Sequence, residues 1–125
     1  MKMRFFKIIL LVILISLSGR IVFANKSSTS IEAPPIVQRG SEIVVKIQVN
    51  HKGNNFLHYT NWLRVLVNQK EVARWEFSSG NRPEGEVFTR EIKLKVTEDL
   101  EITAEANCNR HGSAGPTTFK ISVKE

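Results

Sequence analysis

One cysteine and three histidines are all that this 125-residue chain holds of those two types: Cys108, His51, His58 and His111. A thiolate with several imidazoles is a ligand set suited to iron, copper or zinc. Cys108 and His111 share the run Cys108-Asn109-Arg110-His111-Gly112, while His51 and His58 lie about fifty residues upstream. Taken singly, each carries little weight. A histidine in a Gly/Asn loop is commonly just solvated, a cysteine in inward register is commonly a small core hydrophobe, and Cys-x-x-His arises by coincidence. Together they leave no histidine or cysteine outside the set, which favours a common site.

Spacing says how such a site would have to be built. His51 and His58 are an odd number of residues apart, so on one continuous strand they would face opposite sides of a sheet. They converge only if the chain between them loops, and Gly53-Asn54-Asn55 supplies residues for that. Cys108 and His111 are also an odd number apart, so the strand must end or turn there, which Gly112 permits. Both pairs therefore belong at strand ends, on loops held by a rigid sheet.

The elements that must position them are strands. Ile43, Val45, Ile47 and Val49 alternate with Val44, Lys46 and Gln48 as a half-buried strand. His51 to Asn55 interrupts the pattern, and Tyr59 to Val67 resumes it. Asn68-Gln69-Lys70-Glu71 is a polar reversal into a partner strand over Val72 to Phe77, and Ser78 to Gly85 is a loop. Val87 to Val96 forms another strand. After the Glu98-Asp99 turn, Leu100, Ile102, Ala104 and Ala106 point one way, and counting on by two puts Cys108 on that apolar face. Phe119, Ile121 and Val123 make a last strand. Asn25 to Ser30 is polar and expected to be mobile unless a ligand ties it down, and Pro34-Pro35 fixes an extended lead-in. Trp62 and Trp75 read as core packing rather than electron relays. The sum is an all-β fold, an immunoglobulin-like β-sandwich of about seven strands.

Ahead of this lies a basic start, Met1-Lys2-Met3-Arg4, then a nearly all-apolar run from Phe5 to Ser18, then Val22-Phe23-Ala24. That is the pattern of a secretory signal peptide over residues 1–24, the run being well short of the ~20 residues a membrane span needs. Cleavage would leave residues 25–125 as one domain, secreted or periplasmic and without a membrane anchor. It would also remove four basic residues and no acids, so the formal charge falls from +6 to +2. No Lys/Arg stripe with interleaved aromatics remains, which argues against a nucleic-acid partner. A lone cysteine in an exported protein is buried, reactive, paired between chains or bound to metal.

The motifs resemble those of a known family. Cys108-Asn109-Arg110-His111-Gly112 is similar to the Cys-Asn-x-His-Gly signature of the desulfoferrodoxin/superoxide reductase (neelaredoxin) iron domain. His58-Tyr59-Thr60-Asn61-Trp62-Leu63 resembles its His-Tyr-Ile-x-Trp-Ile segment, and Ile31-Glu32-Ala33-Pro34 resembles the start of the strand after its Lys-His-Val-Pro. The resemblance implies a seven-stranded immunoglobulin-like sandwich holding one non-haem iron, with imidazoles in a plane and the thiolate axial. Superoxide is then reduced to hydrogen peroxide at the open position opposite the sulfur. It implies metal ligation by His51, His58, Cys108 and His111, and a lysine that attracts the anionic substrate, for which Lys26 and Lys52 are the candidates. His58, Cys108 and His111 match the motifs directly. His51 departs from them: Lys52 replaces the usual following proline, and the distance to His58 is one residue longer. The position of a fourth imidazole holds Ser27, and that of a preceding glutamate holds Asn25. Three imidazoles and a thiolate suit iron and, as a tetrahedral set, zinc.

With no second cysteine cluster, such a protein needs an external electron donor; a homo-oligomer is compatible with the sequence. Two other readings stand beside the enzyme. One is a non-catalytic exported metal- or sulfur-compound-binding β-sandwich module, and the other an adhesion or structural sandwich with Cys108 in its core. Nucleophilic catalysis by Cys108 with His111 lacks an orienting carboxylate, because Glu105 alternates to the other face.

Overall fold

The computed structural model describes residues 26–125; the expected signal peptide and Asn25 lie outside the described residues. Among the described residues the chain forms eight strands and no helix: β1 (Ser28–Glu32), β2 (Ile36–Gln38), β3 (Ser41–Asn50), β4 (Thr60–Val67), β5 (Lys70–Glu76), β6 (Val87–Val96), β7 (Leu100–Cys108) and β8 (Thr117–Lys124). They make an immunoglobulin-like sandwich of a three-stranded sheet, ordered β1-β3-β6, and a five-stranded sheet, ordered β2-β8-β7-β4-β5.

Period-two alternation decides which faces meet. Ile43, Val45, Ile47 and Val49 of β3 are buried against Ile102, Ala104 and Ala106 of β7 and Leu63 and Val65 of β4. Phe88, Val96, Leu100, Ile121 and Val37 complete the core. Alanines at the end of β7 leave room there, and the next inward position on that strand is Cys108, only 1% exposed. The sulfur thus sits at the rim of the hydrocarbon core, beside the end of β3 where His51 follows.

Two expectations are corrected. Of the segment expected to be mobile, Asn25 to Ser30, the residues Ser28 to Ser30 form the first part of β1, paired antiparallel with β3 from Ser28↔Asn50 to Glu32↔Lys46. Its polar residues pair through the backbone, which composition does not register. Beyond Pro34-Pro35, β2 adds a short parallel pairing to β8, and the eight strands agree with the expected sandwich of about seven. Trp62 is also not a core residue. A β-bulge between Thr60 and Trp62 resets the alternation of β4, so Thr60 and Leu63 both point inward. Trp62 then lies half-buried on the outer face, with the guanidiniums of Arg64 and Arg74 at 5.4 and 5.5 Å from its ring centre. Trp75 does pack against the core.

Candidate metal centre

Three segments meet at one end of the sandwich: Ser27 ahead of β1, the 51–59 loop between β3 and β4, and the 108–112 turn at the end of β7. The 51–59 loop is closed by reciprocal backbone hydrogen bonds between Asn55 and His58 (2.7 and 3.2 Å). Gly53 turns it with φ +100°, and a Cβ there would stand 3.2 Å from His58 Nδ1. The 108–112 turn is closed in the same way. Cys108 N–H donates to the Gly112 carbonyl (2.9 Å) and Gly112 N–H to the Cys108 carbonyl (3.0 Å), with Gly112 at φ +79°. The two loops are stapled together. Asn109 N–H donates to the Tyr59 carbonyl (3.0 Å), Tyr59 N–H to Asn109 Oδ1 (2.9 Å), and Arg110 Nε–H to the Leu57 carbonyl (2.9 Å).

This brings all four predicted side chains together. One ligand atom each from His51, His58 and Cys108 lies within 4.8 Å of the other two, a group that could hold a metal ion. His58 Nε2 stands 3.1 Å from His51 Nε2 and 3.0 Å from His111 Nδ1, and the rings meet edge-on at 85° and 84°. His111 Nδ1 lies 3.8 Å from Cys108 Sγ, and His111 N–H donates to that sulfur at 3.4 Å. The donor set fits iron by its chemistry, imidazole nitrogens together with a cysteine sulfur. The site is sunk on one side and open on the other. His51 and Cys108 are each 1% exposed, while His58 is half-buried and His111 exposed.

Support comes from residues that the sequence reading passed over as ordinary loop and strand positions. His51 N–H donates to the Glu86 carbonyl (2.7 Å), and Gly53 N–H donates to Glu86 Oε1 (3.2 Å). Behind the ring, His51 Nδ1 faces Asn54 Oδ1 at 2.6 Å and Thr60 Oγ1 at 3.0 Å, and Thr60 Oγ1 meets Ser27 Oγ at 2.9 Å. Ser27, at the place where the resemblance puts an imidazole, is fully buried with its hydroxyl on Thr60. Lys52 is exposed beside His51, and Lys26 is half-buried beside Ser27. Glu105 is engaged elsewhere, by Arg64 (2.8 Å) and Ser113 (3.1 Å), consistent with its expected outward face.

A family model described as Desulfoferrodoxin matches residues 21–113. No curated protein matches the sequence. Among solved structures, a superoxide reductase (neelaredoxin) from Ignicoccus hospitalis is similar at 22% identity, TM-score 0.66, over 78% of this chain and 80% of that one. A candidate superoxide reductase from Thermotoga maritima is similar at 26% identity, TM-score 0.58, over 81% and 89%. The sulfur carrier protein SoxY from Chlorobium limicola is similar at 11% identity, TM-score 0.57, over 87% and 96%, a likeness of fold alone.

Proposed function

The chain belongs to the desulfoferrodoxin family, and from that premise we propose that it is an exported iron protein that reduces superoxide to hydrogen peroxide. The iron would be held by His51 Nε2, His58 Nε2, His111 Nδ1 and Cys108 Sγ. When bound, it supplies the one electron that converts superoxide, with two protons, to hydrogen peroxide, and an external donor returns that electron. The observation that carries the reading is the convergence of these nitrogens and the sulfur from two segments far apart in sequence, the 51–59 loop and the 108–112 turn at the end of β7.

Each residue has a task that follows from its surroundings. Cys108 offers an anionic sulfur donor at the edge of the core, where water does not compete for it. The His111 N–H directed at that sulfur withdraws part of its charge and so adjusts how strongly it donates. His58 and His111 form the solvent-facing side, through which a small anion can arrive. Lys26 and Lys52, on the two segments that border the site, draw superoxide in by their charge. Export rests on the signal-peptide pattern of residues 1–24.

The test is spectroscopic and kinetic. Iron-reconstituted protein should show a thiolate-to-iron(III) charge-transfer band and should accelerate superoxide loss with a reductant present. Cys108→Ala should abolish the band. A band unchanged in that variant would refute the ligand assignment. A colourless protein that purifies with zinc and leaves superoxide decay unchanged would support the non-catalytic binding module instead.

A further inference from the structure

We propose that Asn54, backed by Thr60 and Ser27, is a positioning residue that locks His51 in its Nδ1–H tautomer and so turns an unprotonated Nε2 towards the metal site. The inference rests on the metal-centre reading for its purpose, but its chemistry is fixed by hydrogen-bond roles. The Asn54 amide has one orientation. Its oxygen accepts the Thr60 backbone N–H at 2.8 Å, a group that only donates, and its nitrogen donates to the Gly85 carbonyl at 2.7 Å, a group that only accepts. The atom 2.6 Å from His51 Nδ1 is therefore an acceptor. Two acceptors do not sit at that distance, so Nδ1 carries the hydrogen. In the neutral ring Nε2 is then unprotonated, and it is Nε2 that faces His58 Nε2 at 3.1 Å.

Thr60 reinforces this arrangement. Its hydroxyl oxygen lies 3.0 Å from His51 Nδ1 and shares the same hydrogen, which leaves its own hydrogen for Ser27 Oγ at 2.9 Å. Ser27 in turn bonds through its backbone to the cysteine side of the site. Its N–H donates to the Gly112 carbonyl (3.5 Å), and its carbonyl accepts the Ala114 N–H (2.9 Å). One buried serine thus joins the support of His51 to the turn that carries Cys108 and His111.

The experiment reads the tautomer directly. In long-range proton–nitrogen NMR spectra of metal-free, nitrogen-15-labelled protein, His51 Nδ1 should appear as the protonated nitrogen and Nε2 as the unprotonated one. Asn54→Ala should shift His51 towards the Nε2–H form and weaken ferrous iron binding by ~10–100-fold. Asn54→Asp, which keeps an acceptor for Nδ1 while losing the donor to the Gly85 carbonyl, should retain the Nδ1–H form. An Nε2–H tautomer in the unsubstituted protein would overturn the proposal with no variant needed. It would be overturned equally if Asn54→Ala left tautomer and affinity unchanged. If the unsubstituted protein shows the Nδ1–H form yet binds no iron, the metal-centre reading fails and the tautomer assignment is supported.

Discussion

Gly53 shows how a residue outside the donor set controls it. Its φ of +100° lies where side chains are disfavoured, and an added Cβ would press on the His58 ring at 3.2 Å. Gly40, at φ +86°, has nothing within 4 Å of such a Cβ, and it precedes the opposite end of β3 from His51. Left-handed backbone costs a non-glycine residue about 1–2 kcal/mol, so Gly53→Ala and Gly40→Ala should lose similar stability in denaturant titrations of the metal-free protein. Only Gly53→Ala should also weaken iron binding, measured by competition with a chelator. Equal affinities in the two variants would show that the 51–59 loop adapts without moving His58. The sequence marked Gly53 as loop chemistry, and it named by type and parity the four side chains that the fold brings together. It placed Asn54 in the loop and Ser27 where a fourth imidazole would stand, but it did not give Asn54, Thr60 or Ser27 a role behind His51, because an amide or hydroxyl has many roles and only its neighbours choose among them.

At the scale of elements, the loop between β5 and β6 props the site from below. It lends the Gly85 and Glu86 carbonyls to Asn54 and His51. It is fastened by a two-pronged pair between Arg90 and Glu84 (2.7 and 2.9 Å), with Arg90 lying over the Phe77 and Phe88 rings at 5.5 and 5.2 Å. The hydrogen bond from Arg90 holds the Glu84 carboxyl below the usual glutamate range. A carboxyl with its folded value lowered adds stability above its unfolded value and loses it as pH falls through the folded one. Glu84 is mostly exposed, so screening limits the pair to at most ~1 kcal/mol. Glu84→Gln should therefore lower stability slightly at neutral pH, and the gap to the unsubstituted protein should close on acidification. A gap that persists in acid would assign the effect to packing rather than charge. Alternation gave β3, β6 and β7 to within a residue or so of their observed spans. It missed β1 and β2, whose pairing runs through backbone groups alike in every residue. It also missed the bulge in β4 that turns Thr60 inward and Trp62 outward.

For the whole molecule, the site joins three separate stretches of chain, so a metal bound there would couple its binding to folding. Free iron at one hundred times its dissociation constant would stabilise the protein by about 2.7 kcal/mol. In a domain of this size that corresponds to a rise in Tm of roughly 10–20 °C. Amide exchange should slow together at Ser27, in the 51–59 loop and in the 108–112 turn, and a chelator should reverse both effects. A melting temperature indifferent to iron would remove the metal centre as a structural element. The sequence by itself determined the strand alternation, the inward register of Cys108 and the need for a loop between His51 and His58, because each follows from a period of two along one strand. Only the tertiary structure decided that the two loop tips share one end of the sandwich, that Ser27 backs Thr60, and which nitrogen of His51 faces the site. Those facts depend on which strands pair and on which donors meet which acceptors across the fold, and no local pattern encodes either.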